Sequence, residues 1–99
     1  MPASVKVGPH VYTVLRKPKS AMPKDLGSCD STTLQIWVRQ RLKRTKAAEI
    51  LIHECLHASL HSVSNGGSQN DEESFVEALS PVLLLVLKEN PELVEYLTK

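Results

Sequence analysis

The fold is decided by the stretch Ile50-Leu51-Ile52-His53-Glu54-Cys55-Leu56-His57-Ala58, which lies within Arg41 to Ser62, a segment without proline or glycine. Apolar residues recur in this segment every three to four positions, as on one face of an α-helix. Because positions four apart stack about 6 Å along a helix axis, His53 and His57 should point their imidazoles the same way. The sequence therefore predicts a long helix that carries two metal-ligating nitrogens on one face.

Glu54 completes an HExxH pattern with these histidines. It points about 100° away from the direction of His53, too far around the helix to be a natural third ligand. It is near enough to reach a water molecule on the metal, which makes it the candidate general base. A catalytic zinc site has three protein ligands and one open position, so the chain must supply one more ligand.

The third ligand is sought among the acidic residues that follow the helix. His61 continues the histidine series, but it lies about 12 Å from His53 along the axis, too far for two nitrogens on one ion, and it is expected at the rim. The candidates are Glu72, Glu73 and Glu77, near the start of the next helix. Periodicity alone does not choose among them.

The two histidines and one of these glutamates would form a His₂Glu site for Zn²⁺. Zinc would lower the pKa of its water toward ~7 and polarise a peptide carbonyl, while Glu54 takes the water proton and passes it to the leaving amine. This predicts a zinc-dependent metallopeptidase acting on protein or peptide. The alternative is a noncatalytic module in which zinc stabilises a small fold that binds a protein or a nucleic acid.

Length and composition set the frame for these hypotheses. The 99 residues, 41% of them hydrophobic, predict a single domain over 1–99. Cys29 and Cys55 are too few for a disulfide scaffold, and the first residues lack a secretory leader, so a cytoplasmic setting is expected. Leu83 to Leu87 is too short to cross a membrane.

The residues before the metal helix favour strands. Ser4 to Arg16 alternates polar and apolar residues around Gly8-Pro9, which predicts a strand or a hairpin with its turn there. Lys17 to Ser28 contains two prolines and a glycine and reads as an exposed connection. Thr32 to Arg39 predicts a second main strand, with Leu34, Ile36 and Val38 on one face.

The residues after the metal helix predict one or two further helices. Asn65-Gly66-Gly67-Ser68 should end the first helix, and Asn70 or Asp71 should cap the next one. That helix either kinks at Pro81 or restarts there with Ser80 as its N-cap. Asn90-Pro91 predicts the start of a short terminal helix whose Leu93, Val94 and Leu97 fold back on the core. The apolar stripe of the second helix is predicted to comprise Phe75, Val76, Leu79, Leu83 and Val86.

Two surface features bear on partners. A basic run precedes the motif and comprises Arg39, Arg41, Lys43, Arg44 and Lys46. A solvated face is favoured over a nucleic-acid contact, because the net charge is only +1 and Trp37 is the only nearby aromatic residue. Leu83 to Leu87 is apolar all round, which predicts a homodimer or partner contact through this helix.

Five segments together resemble a known family. They are Gly8 to Val14, Gly27 to Asp30, Ile50 to Ala58, Glu72 to Leu79 and Leu87 to Leu93. The chain resembles, over nearly its whole length, the short phage and bacterial HExxH proteins of the minimal gluzincin type, which are related to the ImmA/IrrE peptidases.

The resemblance implies an α+β fold in which a small antiparallel sheet packs on the metal helix and a following helix completes the zinc site. In the family pattern, apolar residues stand three and six positions after the ligating glutamate. Glu73, followed by Val76 and Leu79, fits this pattern better than Glu72. The resemblance therefore implies His53, His57 and Glu73 as zinc ligands, without naming a target protein.

Overall fold

The computed structural model describes residues 1–63 and 69–98 and shows an α+β architecture. These residues form four strands, β1 (Ser4–Val7), β2 (His10–Lys17), β3 (Gly27–Asp30) and β4 (Gln35–Arg39). Three helices follow, α1 (Arg44–Val63), α2 (Gln69–Glu89) and α3 (Pro91–Leu97). The predicted fold class, a small sheet packed on the HExxH helix with further helices after it, is confirmed.

The predicted hairpin at the start of the chain is confirmed. β1 and β2 pair antiparallel, with Val7 opposite His10 and the turn at Gly8-Pro9 between them. Gly8 has a φ of 57°, a left-handed conformation that costs glycine little and most other residues more. The glycine thus permits the tight reversal that sets the register of the hairpin.

The sheet is mixed, where a wholly antiparallel one was expected. Its strand order is β1-β2-β4-β3, and β2 pairs with β4 in parallel. Parallel neighbours need a long connection, and residues 18–34 supply it. This connection includes β3, which pairs antiparallel with β4 and was not predicted. It also includes Met22, which is 5% exposed because the segment folds back on the sheet.

One face of the sheet forms the core against α1. Ile36 and Val38 are fully buried, which agrees with the prediction that they lie on the same face of a strand. Tyr12 and Val14 lie beside them. Leu34 lies outside β4, since its φ of 57° belongs to a turn in which the Asp30 carboxylate accepts two backbone N–H bonds. α1 presents alanines, Ala47 and Ala58, to this core. Small residues at these positions let the helix approach the sheet closely.

The ends of the helices differ from the predictions in two places. α1 begins three residues later than expected, because Arg41 has a φ of 64° and cannot be helical. α2 begins at Gln69, so Asn70 and Asp71 lie in its first turn instead of capping it. The predicted helix end at Asn65 to Ser68 lies outside the described residues.

α2 continues through Pro81, so the restart at Ser80 is wrong. α3 does begin at Pro91, with Asn90 as its N-cap residue, which confirms that prediction. Leu93 is 40% exposed and does not join the core as expected, while Val94 is half-buried. The side chain of Leu97 lies outside the described part of the chain.

α2 carries apolar residues on two faces. Val76 and Ser80 are buried where α2 packs on α1. The burial of Val76 agrees with its predicted place in the apolar stripe. Phe75 and Val86, predicted in the same stripe, are 53% and 40% exposed, so that assignment is wrong for them. They form an exposed apolar surface together with Val82 and Leu85. No helix of the described chain is long and apolar enough to span a membrane.

We expect this exposed apolar surface of α2 to pair with a second copy of the chain. Sedimentation should show a molecular weight that rises with concentration, and Leu85→Glu should return the chain to a monomer. Val11→Glu is the matched control, because Val11 is equally exposed but lies on β2. A wild-type chain that stays monomeric at every concentration would contradict this expectation.

Candidate metal centre

The histidines of the motif meet at their ring nitrogens. One turn of α1 separates His53 from His57, and their Nε2 atoms lie 3.2 Å apart. The two side chains are only 19% and 16% exposed. The helix therefore aims both nitrogens at one sheltered point, as the sequence predicted.

α2 brings Glu73 to the same point. Its Oε1 lies 3.1 Å from Nε2 of His53, and its Oε2 lies 2.9 Å from Nε2 of His57. One donor atom from each of the three residues lies within 4.8 Å of the others. Ligands about 2.1 Å from a tetrahedral ion are ~3.4 Å apart, so the three residues fit a zinc ion with little movement.

Glu72 occupies a different position from Glu73. Its Oε2 lies 3.2 Å from Nδ1 of His57, the nitrogen that faces away from the donor cluster. Metal-ligating histidines commonly donate their other ring N–H to a carboxylate, which fixes the tautomer and the ring orientation. Of the three candidate glutamates, Glu73 thus contacts Nε2 of both histidines, and Glu72 contacts Nδ1 of His57. Glu77 lines the same cleft without joining the described donor group.

The hydrogen-bond partners of His57 favour a cation at this point. A neutral imidazole carries a single ring proton, yet His57 faces a carboxylate oxygen at each nitrogen. If Nδ1–H donates to Glu72, the lone pair of Nε2 points at the Glu73 carboxylate and at the other histidine. A cation between these groups, either a proton or a metal ion, removes that repulsion.

Glu54 lies beside the cluster and is almost entirely buried, with 6% of its surface exposed. Burial raises the pKa of its carboxyl group to about 7; His57 opposes this rise, and the carboxylates of Glu73 and Asp25 add to it. No side chain or backbone group within 1–63 and 69–98 donates a hydrogen bond to it. A buried carboxylate that titrates near neutral pH is suited to accepting a proton.

β3 forms the wall of the site opposite α1. A Cβ atom on Gly27 would lie 2.5 Å from Cγ2 of Ile50 and 2.9 Å from Oε2 of Glu54. Only a glycine lets the strand backbone approach the metal helix this closely.

Cys29, two residues after Gly27, also lines the cleft, and burial together with the nearby Glu54 charge raises the pKa of its thiol to about 11. Both described cysteines are free, and burial raises the pKa of Cys55, which packs against the core.

The cleft has a volume of about 910 Å³ and is open to solvent. His61 is exposed and lines it, which agrees with its predicted place at the rim. Sequence reasoning found the histidines and Glu54 but missed Gly27, Cys29 and Asp25 as parts of the site. The only signal for Gly27 and Cys29 was the segment Gly27 to Asp30, whose position beside α1 depends on strand pairing, and Asp25 had no signal.

Comparison with known proteins identifies no relative of this chain. No protein family, no curated protein and no solved structure matches it.

We expect Glu72→Ala to weaken metal binding about 10-fold to 100-fold, because His57 loses the carboxylate that holds its ring. A competition titration with a chromogenic zinc chelator measures this affinity. Glu77→Ala is the matched control, since Glu77 lies on the same helix and in the same cleft, outside the described donor group. Equal affinities for the two variants would show that Glu72 does not orient the ligand.

Proposed function

We propose that the chain is a zinc-dependent metallopeptidase of the gluzincin type. Its metal ligands are His53, His57 and Glu73, and its general base is Glu54. The observation that carries this proposal is the meeting of three donor side chains from α1 and α2 beside a buried carboxylate, in an open cleft. We place the chain, on the residues of the motif and of α2, beside the minimal gluzincin proteins related to the ImmA/IrrE peptidases.

The donor set suits zinc, since two imidazoles and one carboxylate leave a fourth position open. When bound, zinc supplies Lewis-acid chemistry, which activates water and polarises a carbonyl group. Glu72 holds His57 by its Nδ1 nitrogen, so that Nε2 stays directed at the cluster. The protein thus fixes the ligand geometry before the metal arrives.

Glu54 moves the proton in this proposal. Its carboxylate is buried beside the cluster, where it would accept a proton from water activated by a bound zinc ion. The same carboxyl group can then donate this proton to the leaving amine. Gly27 keeps the opposite wall free of a side chain, which leaves the Glu54 carboxylate in place.

A peptide is the substrate class that the cleft favours. β3 is an edge strand that pairs only with β4 among the described strands, and Gly27, Ser28 and Cys29 line the cleft. An extended peptide can add to an edge strand through main-chain hydrogen bonds. Such a peptide would run past Glu54 and the histidines. The two free thiols fit the cytoplasmic setting that we propose for this activity.

Glu54→Gln separates the enzyme from a noncatalytic zinc module. The amide keeps the shape of the side chain but cannot take a proton, so we expect turnover to fall by about 10²-fold to 10⁴-fold while zinc binding is kept. Cleavage of a fluorogenic peptide library by the zinc-loaded protein measures turnover, and elemental analysis measures zinc. Glu49→Gln, a change at a half-buried position of the same helix outside the cleft, is the control and should keep full activity.

Two outcomes would contradict the proposal. If Glu54→Gln cleaves the library as fast as the wild type, Glu54 is not the base. If the wild-type chain binds zinc but cleaves no member of the library, the metal stabilises the fold and the noncatalytic hypothesis is favoured.

A further inference from the structure

The net charge of +1 conceals a strong separation of charge along the chain. Residues 1–46 hold ten of the 12 Lys and Arg and two of the 11 Asp and Glu, so residues 47–99 hold nine acidic side chains. Charge asymmetry of this kind is typical of proteins that bind a polyanion. The described strands are therefore in the basic part of the chain, and most of the carboxylates are on the helices.

The fold gathers the basic side chains further. In the parallel register of β2 and β4, Lys17 lies opposite Arg39. Gln40 fastens the two strand ends, since its backbone N–H donates to the Lys17 carbonyl at 2.8 Å and its side chain donates to the Arg16 carbonyl at 3.3 Å. The sequence shows only the basic run that begins at Arg39; the sheet places a second basic segment, 16–19, beside it.

We call the resulting surface the basic face. It comprises Lys19, Arg39 and Arg41, which line one cavity, and their neighbours in the chain Lys17, Lys43 and Arg44. Within the described residues, no member has a carboxylate within 4 Å, whereas Lys46, which lies outside this face, is paired with Glu49 at 3.7 Å. The positive charges of the basic face are thus not neutralised by the protein itself.

A cavity of about 430 Å³ lies within the basic face. Lys19, Arg39 and Arg41 line it, and no acidic residue does. Nε of Arg39 is buried without a hydrogen-bond partner in the described structure, although Nη2 donates to the Met22 carbonyl at 2.7 Å. Arg41 keeps its left-handed φ of 64°, which costs of order 1 kcal/mol for a residue that is not glycine. Backbone strain of this kind is found preferentially at functional sites.

The beginning of α1 adds positive potential to the same surface. The first turn of this 20-residue helix contains Arg44 and Lys46 and no acidic residue. The Lys43 carbonyl accepts the backbone N–H of Ala47, so the basic residues surround the positive end of the helix dipole. This arrangement is unfavourable for the free protein and becomes favourable when an anion binds.

We propose that the basic face binds the phosphate backbone of double-stranded nucleic acid. Single-stranded nucleic acid is bound through stacking on exposed aromatic rings, but Lys17 lies over the ring of Trp37 at 4.7 Å, and Tyr12 is 2% exposed. An anionic membrane surface is bound through basic residues mixed with exposed apolar ones. The exposed large apolar side chains of α2 and α3 lie outside the basic face, and Leu85 lines a separate cavity with Lys46. A duplex backbone needs only the cations.

The test measures binding of labelled 20-base-pair duplexes, DNA and RNA, by fluorescence anisotropy at several salt concentrations. We expect both duplexes to bind. A plot of the logarithm of the binding constant against the logarithm of the salt concentration should have a slope of about −0.9 for each phosphate contact. The triple variant Lys19→Glu, Arg41→Glu and Lys43→Glu should bind at least tenfold more weakly and lose about three units of slope.

The matched control reverses the same amount of charge elsewhere, as Lys6→Glu, Lys24→Glu and Lys88→Glu. It should change the affinity less than threefold. Equal weakening by both triple variants would overturn the proposal, because net charge alone would then explain the binding. Absence of duplex binding at low salt would also overturn it, as would tighter binding to single strands or to phosphatidylserine vesicles than to either duplex.

A single substitution guards against a triple variant that fails to fold. Glycine suits the φ of 64° at position 41, so Arg41→Gly removes one cation without straining the backbone. The salt slope should fall by about one unit while the circular-dichroism spectrum stays that of the wild type. An unchanged slope would show that Arg41 does not contact phosphate, and it would overturn the proposal that the basic face is the binding surface.

Discussion

The contact between Glu73 and the paired histidines joins the two long helices at the candidate metal centre. α2 packs on α1, and the described residues show no comparable packing of α2 on the sheet. The carboxylate of Glu73 spans both Nε2 atoms across this helix pair, with Val76 buried one turn further along. A metal ion bound by these donor atoms would therefore also help to position α2, which would link metal binding to folding.

The sheet serves the site through close approach. Alanines of α1 let the helix settle on the sheet, and Gly27 lets the edge strand reach the Glu54 carboxylate. The same approach buries Glu54, and this burial raises its pKa to about 7. A packing constraint in a four-residue strand thus sets the acid–base character of a side chain on another element.

Local patterns in the sequence predicted the parts of the fold that depend on local chemistry. The HExxH helix, the turn at Gly8-Pro9 and the start of α3 at Pro91 follow from periodicity and from the backbone preferences of glycine and proline. β3 was missed because its residues have weak strand preference, and only pairing with β4 makes it a strand. The parallel pairing of β2 with β4 escaped prediction for the same reason, since it joins residues about twenty positions apart.

The site shows the same division between local and nonlocal information. Spacing on one helix placed His53 and His57 together, but periodicity could not separate Glu72 from Glu73. Neighbouring residues on a helix differ by about 100° in direction, so the choice depends on how α2 crosses α1. The resemblance favoured Glu73, and the structure places that residue against both histidines. Ligation of zinc by these three residues stays a prediction.

Native mass spectrometry after reconstitution with zinc tests the central claim most directly. The account predicts one zinc ion per wild-type chain and loss or clear weakening of binding in both His57→Ala and Glu73→Ala. Glu77→Ala, which alters the same cleft, should keep the ion. A wild-type chain that binds no zinc, or a Glu73→Ala variant that binds it as tightly as the wild type, would contradict the account.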